Sequence, residues 1–216
     1  MMPGKFITFE GGEGAGKSTQ IGRLADRLRA TGREVVVTRE PGGTPTAESI
    51  RRFLLNGLAE RLGADGEAIL FAAARADHVE TLIRPALAAG RWVLCDRFAD
   101  STRVYQGGPG GVDDALLDAL DKVAIGATRP DLTVLLDVPA GIGLARAARR
   151  GEGAAAAPDR FESEAFALHE ARRHAYLAIA AAAPRRCVLV DGTGSEDAVA
   201  DEIWREISSR LLERAA

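Results

Sequence analysis

Gly11-Gly12-Glu13-Gly14-Ala15-Gly16-Lys17-Ser18, followed by Thr19, comes directly after the apolar run Phe6-Ile7-Thr8-Phe9 and meets G-x-x-x-x-G-K-[ST] at every fixed position. Glycines let the backbone curl so that successive N–H groups point inward at phosphate oxygens, and the helix that follows offers its positive end. In such a loop the lysine, here Lys17, reaches the β/γ-phosphates, and the hydroxyl of Ser18 ligates Mg²⁺. Ile21, Leu24, Ala25 and Leu28 follow at helical spacing. Strand, loop and helix are therefore in register, which a glycine-rich turn that binds nothing does not require. Residues 11–19 are expected to hold a nucleoside triphosphate.

Outward from this stretch, apolar runs recur at Lys5–Glu10, Glu34–Thr38, Trp92–Asp96, Leu132–Asp137 and Cys187–Asp191, with helical segments between them. Such runs suit parallel strands covered on both faces, and the alternation argues for right-handed crossovers and an α/β doubly wound sheet. Ligands of these sheets bind beyond the carboxyl ends of the strands. Glu10, Arg39-Glu40, Asp96-Arg97 and Asp191 all fall there.

The bulk composition narrows the classes. A chain of 216 residues with 46% apolar and 27% charged residues is expected to form one globular domain, 1–216. A net charge of −3 gives no general pull toward nucleic acid or anionic membrane. Cys95 and Cys187 sit inside apolar runs and read as small buried hydrophobes rather than a disulfide or metal framework. No signal peptide or membrane-length apolar span is evident, so the expected compartment is the cytoplasm.

Three further stretches bear on the site. Arg39-Glu40-Pro41-Gly42-Gly43-Thr44-Pro45 reads as a stiff, shaped turn, with Thr44 or Thr46 capping the next helix. Asp65–Leu87 reads as a long helix with Phe71, Arg75, Val79, Leu82, Ile83 and Ala86 on one face, leaving Asp77 and His78 on the solvated side. There, a ring that stacks on a planar ligand beside an arginine that donates to its rim competes with a core phenylalanine and a snorkelling arginine. On this segment alone the second reading is the simpler. Asp96-Arg97-Phe98 places an acid to hold Mg²⁺ through water and an arginine to clamp phosphate, with Ser101, Thr102, Tyr105 and Gln106 on a short helix behind. Asp113–Gly126, with Leu116, Leu117, Leu120, Val123 and Ala124, reads as packing. Arg146, Arg149 and Arg150, then small residues, then Arg160 fit a mobile flap over 145–162. Phe161–Ala183 reads as an alanine-rich helix, and Asp191-Gly192-Thr193-Gly194 as a tight loop near the base.

Phe9 to Ser18, Thr38 to Thr44, and Asp96-Arg97-Phe98 through Tyr105-Gln106-Gly107, in that order, resemble the bacterial thymidylate kinase family along nearly the whole chain. The resemblance implies a P-loop three-layer fold with a parallel five-stranded sheet flanked by helices, ATP with Mg²⁺ as phosphoryl donor, dTMP as acceptor, and a homodimer. It implies that Phe71 stacks on thymine, that Arg75 donates to a ring carbonyl and that Thr102 lies at the base edge. By the same resemblance Tyr105 excludes a 2′-hydroxyl, Glu13 contacts the 3′-hydroxyl or a magnesium water, and Arg97 bridges the two phosphates. Arg39, Glu40, Pro41, Ser101 and Gln106 complete the expected substrate site. Family members carry a key arginine either in the P-loop or in the lid. The P-loop position here is Gly14, so the resemblance is to the lid-arginine subgroup, with Arg149, Arg150 or Arg160 as candidates. A kinase for another nucleotide or nucleoside, or a nucleotide-gated binding module, are the alternatives. The second is disfavoured because nothing like N-K-x-D precedes Asp191 to read guanine.

Overall fold

The computed structural model describes residues 4–152 and 164–212. Its centre is a five-stranded, all-parallel sheet in the order β2-β3-β1-β4-β5, built from β1 (Phe6–Glu10), β2 (Val35–Arg39), β3 (Trp92–Asp96), β4 (Leu132–Asp137) and β5 (Cys187–Asp191). Three strands, β3, β4 and β5, begin and end where expected; β1 starts one residue later, and β2 is shifted by one residue at both ends. From β1 the chain passes to the edge strand β2, returns inward to β3 beside β1, and then crosses to β4 and β5 on the other side; α1 (Lys17–Ala30) follows the loop at the carboxyl end of β1.

Alternation along the strands assigns the two faces. Ile7 and Phe9 pack with Ile21, Leu24 and Leu28 of α1 and with Val199, Ile203 and Ile207 of the last helix. Phe6, Val93 and Cys95 pack on the opposite face against Val79, Ile83, Ala86 and Phe98. The sheet interior is not wholly apolar: buried Thr8 and Thr133 pair their hydroxyls at 2.8 Å. The edge strands are less covered than continuous apolar runs suggest, since Val37 is 47% and Leu189 48% exposed. Strands with a neighbour on one side only leave one flank to solvent.

The remaining helices are α2 (Pro45–Leu55), α3 (Gly63–His78), α4 (Arg84–Ala88), α5 (Ala99–Tyr105), α6 (Asp114–Ala124), α7 (Ala140–Glu152), α8 (Phe166–Ala182) and α9 (Glu196–Ile207). Thr44 caps α2, accepting from Ala47 N, with Pro45 in the first turn; Ser195 caps α9 in the same way, accepting from Ala198 N. The expected long helix Asp65–Leu87 is α3 and α4 joined through a π turn, Val79–Ile83. Of the expected helix Phe161–Ala183, the described part is α8, which follows an extended Ala165; residues 153–163 lie outside the described residues. Val123 does not pack. It is 82% exposed on α6, whereas Leu117 and Ala124 are buried.

Candidate active site

Strand register brings the chemistry to one edge. Phe9 and Arg39 both stand opposite Asp96, so Glu10, Glu40 and Arg97 leave the sheet side by side. Beyond them a cavity of about 490 Å³ opens, the size of a small-molecule site. Glu13 to Thr19, Arg39, Glu40, Pro41, Phe71, Arg75, Asp96, Arg97, Ser101, Thr102, Tyr105 and Gln106 all line it. The sequence reading missed Arg51, Leu55 and Phe98 in that wall. Arg51 and Leu55 sit one turn apart on α2, and Arg51 donates to Pro41 O at 2.8 Å; the i, i+4 pair facing the shaped turn was the available signal.

At the loop end, Lys17 is buried and its Nζ donates to Gly12 O at 2.9 Å and to Gly11 O at 3.1 Å. Burial, and then the nearby Arg97 guanidinium, lower its pKa. Ser18 Oγ donates to Asp96 Oδ2 at 2.7 Å. This pairing of a hydroxyl and a carboxylate suits a hard cation such as Mg²⁺, which is held through few protein oxygens plus substrate phosphates. Among the described residues no cluster of three or more His, Cys, Asp or Glu could hold a metal without such help. Gly14 has φ +65°, and a methyl group built on it would stand 1.9 Å from Gly143 O in α7. No arginine fits at that place in this backbone.

Arg97 stands at the centre. It is the non-glycine residue of the described chain with positive φ, 68°, a conformation that persists only when its surroundings enforce it. Two bonds do so: Arg97 N donates to Phe9 O at 2.9 Å, and Phe98 N donates to Glu10 Oε1 at 2.8 Å. The guanidinium donates to Glu13 Oε1 at 2.5 Å and to the Tyr176 hydroxyl at 3.1 Å, and lies 5.0 Å from the centre of the Tyr105 ring. Tyr105 donates to the same Glu13 oxygen at 2.8 Å. Burial raises the Glu13 pKa, but Arg97, then Lys17 and the Tyr105 hydroxyl, outweigh it and bring it down to about 2. Glu10 goes the other way. It is wholly buried, accepts from Ser101 Oγ at 2.6 Å and from the Tyr176 hydroxyl at 3.2 Å, and burial followed by the nearby Asp100 lifts it to about 7.

At the far end the snorkelling reading of Arg75 is overturned. Arg75 is 3% exposed; its Nε donates to Glu40 Oε2 at 2.7 Å and its Nη2 to Thr102 Oγ1 at 2.8 Å and to Phe98 O at 3.1 Å. Phe71, one turn earlier, is half-buried at the cavity wall. His78 and Asp77 are likewise not on a solvated face. His78 is 0% exposed between Glu40 and Thr38, and Asp77 accepts from Thr44. The Glu40 carboxylate draws His78 inward and the Thr44 hydroxyl holds Asp77, which helical periodicity alone does not reveal.

α8 contributes residues that its alanine-rich composition hid. Tyr176 bonds Ser101 and Glu10, and the Arg172 guanidinium lies 4.2 Å from the Tyr105 ring centre while pairing with Glu164. His169, Arg172 and Tyr176, all buried, recur at i, i+3 and i+7, a polar stripe that was the signal for them. Arg146 donates to Gly192 O at 2.8 Å and Thr193 O at 3.4 Å, tying α7 to the loop after β5. Arg149 is exposed, donates to Ala145 O of its own helix and is not in the cavity wall. Arg160 and the side chain of Arg150 lie outside the described residues, as does the flap beyond residue 152.

A parallel sheet with a phosphate-cradling loop at β1, a Ser–Asp pair beside it, and a second recognition end in the same cavity define a P-loop phosphotransferase. The family model for thymidylate kinase matches residues 9–203. A thymidylate kinase of Nitrobacter winogradskyi is 59% identical over 97% of this chain and 90% of its own, and one of Rhodopseudomonas palustris is 60% identical over 98% and 92%. The crystal structure of thymidylate kinase from Ehrlichia chaffeensis matches with a TM-score of 0.75 at 33% identity, covering 95% of this chain and all of that one. The chain belongs to the thymidylate kinase family.

Proposed function

We propose that the protein transfers the γ-phosphoryl group of ATP to dTMP, giving dTDP and ADP. The observation that carries this is one cavity with a cationic end, Lys17 and Arg97, and a base-reading end, Phe71, Arg75 and Thr102. A phosphate monoester has its second pKa near ~6, so the acceptor is already largely a dianion at neutral pH and no general base is required. The barrier is the approach of two anions and the charge spread over the transferred group. Lys17 and Arg97 stabilise that charge from fixed positions in the cavity wall. Ser18 and Asp96 would hold Mg²⁺, which when bound neutralises charge on the donor phosphates.

Phe71 stacks on thymine, Arg75 donates to its ring carbonyl, and Arg51 joins Arg39 at the acceptor side. Tyr105, fixed on Glu13, fills the space a 2′-hydroxyl would need. The crowding of Gly14 against Gly143 supports a lid arginine as the further cation, drawn from Arg149, Arg150 or Arg160. The whole chain acts as one kinase domain with residues 145–162 as its lid. It works in the cytoplasm as a homodimer; no described helix is long and apolar enough to cross a membrane. Exposed Ile69 and Val123, on helices α3 and α6 that pack together, support a second copy as the partner.

ADP production from ATP and Mg²⁺ is to be measured with dTMP, dUMP, dCMP, dGMP and thymidine. dTMP is expected to be the best acceptor. A clear preference for thymidine, or indifference to all five, overturns the assignment.

A further inference from the structure

Behind Arg75 lies a chain of buried groups that the reaction itself does not use. Glu40 accepts from Arg75 through Oε2, and its other oxygen, Oε1, meets His78 Nδ1 at 3.0 Å. The second ring nitrogen, Nε2, meets Thr38 Oγ1 at 2.8 Å. A carboxylate paired with a guanidinium offers only acceptors, so Nδ1 carries the proton and donates; Nε2 and the Thr38 hydroxyl share the second bond of the ring. Thr38 belongs to β2 and pairs in register with Cys95. Arg75 and His78 share a helix face at i, i+3, and the helix widens into its π turn immediately after His78. Gly43 closes the end of the chain. A methyl group there would stand 2.4 Å from Thr38 Oγ1 and 2.7 Å from His78 Nε2.

We propose that His78 is a positioning residue for base recognition: it locks the Glu40 carboxylate, and Glu40 in turn holds the Arg75 guanidinium in one plane at the cavity wall. A carboxylate bound through one oxygen can still rotate about its terminal bond. Binding the second oxygen removes that rotation, and the Thr38 bond fixes the ring that supplies it. The arginine is thereby tied through Nε to the end of β2, in addition to its Nη2 bonds to Phe98 and Thr102. A planar donor aimed at a ring carbonyl needs this, because the bond weakens steeply once its angle falls below about 120°. The inference rests on the reading of Arg75 as a contact to the base.

The test is the steady-state KM for dTMP and for ATP, with kcat and melting temperature, in Arg75→Met, His78→Phe, His78→Asn, His78→Gln and Thr38→Val. His78→Phe keeps the ring shape and removes both bonds, so the KM for dTMP should rise about 10-fold while the KM for ATP stays at the wild-type value. His78→Asn puts an amide nitrogen where Nδ1 stood and should recover most of that loss. His78→Gln reaches the Nε2 position, leaves Glu40 Oε1 unpaired and should not. Thr38→Val removes only the outer bond at constant volume and should raise the KM for dTMP about 3-fold, a readout that survives if a His78 variant fails to fold. Equal rises in both KM values with a fall in melting temperature across the His78 series would make His78 a packing residue and overturn the proposal. So would a wild-type KM for dTMP in folded His78→Phe, or in Thr38→Val should His78→Phe not fold, while Arg75→Met is impaired. A wild-type KM for dTMP in Arg75→Met removes the base-contact reading itself, and the proposal with it.

Discussion

Arg97 has a left-handed backbone, an ion pair with Glu13 and a ring contact with Tyr105, so its side chain is aimed before any substrate arrives. Arg97→Ala should lower kcat by roughly 10³–10⁵-fold, the range for an arginine that stabilises a transferring phosphoryl group, with a smaller change in KM. Phe71→Ala should do the reverse, raising the KM for dTMP by about 10-fold or more through lost stacking while leaving most of kcat. Steady-state kinetics with dTMP varied at saturating ATP separates the two. Glu10 makes a different prediction. Its folded value is lifted from 4.5 to about 7, so the folded chain holds that proton more tightly than the unfolded chain across this window. The group's contribution to stability is therefore lost as pH rises from about 4.5 to about 7. Glu10→Gln removes this penalty, and its melting temperature relative to wild type should be higher at pH 8 than at pH 5, by about 3 °C or more. An equal difference at both pH values would mean that Glu10 does not titrate there.

α7 meets the P-loop through small residues rather than through long side chains. The first turns of α7 lie on the P-loop so closely that a methyl group on Gly143 would stand 2.3 Å from Glu13 O. Gly143→Ala improves helix propensity yet should push the loop off its position, raising the KM for ATP roughly 5- to 100-fold, the range of the overpacking cost. Kinetics with ATP varied checks this; an unchanged KM for ATP would mean that α7 gives way instead. The site's sequence signal was uneven at this scale. Lys17, Ser18, Asp96 and Arg97 were legible because a loop and strand ends announce themselves by local pattern. Arg75 was only half legible: its spacing from Phe71 was plain, but Glu40, 35 residues away, turns it from a rim residue into a buried one. Tyr176 and Arg172 were hidden in an alanine-rich helix because their partners belong to β1 and α5.

Across the whole molecule, the exposed side chains of Ile69 and Val123 leave apolar area that no described element covers, on helices α3 and α6 that pack together. Sedimentation equilibrium should give twice the chain mass, and Val123→Lys with Ile69→Glu should shift that toward the monomer. A monomeric wild type at micromolar concentration would remove the homodimer. The parallel sheet, its two covered faces and the placement of polar residues at strand ends followed from the sequence alone, since apolar runs of strand length between amphipathic helices admit few other arrangements. The nucleotide loop did too, because its glycines, lysine and serine act through their own backbone. Only the tertiary structure decided that Arg75 and His78 turn inward to Glu40, that Val123 faces out, and that Gly14 has no room for a side chain. Each of those depends on which distant group lies opposite, and register between strands and helices, unlike periodicity, is not written in any one segment.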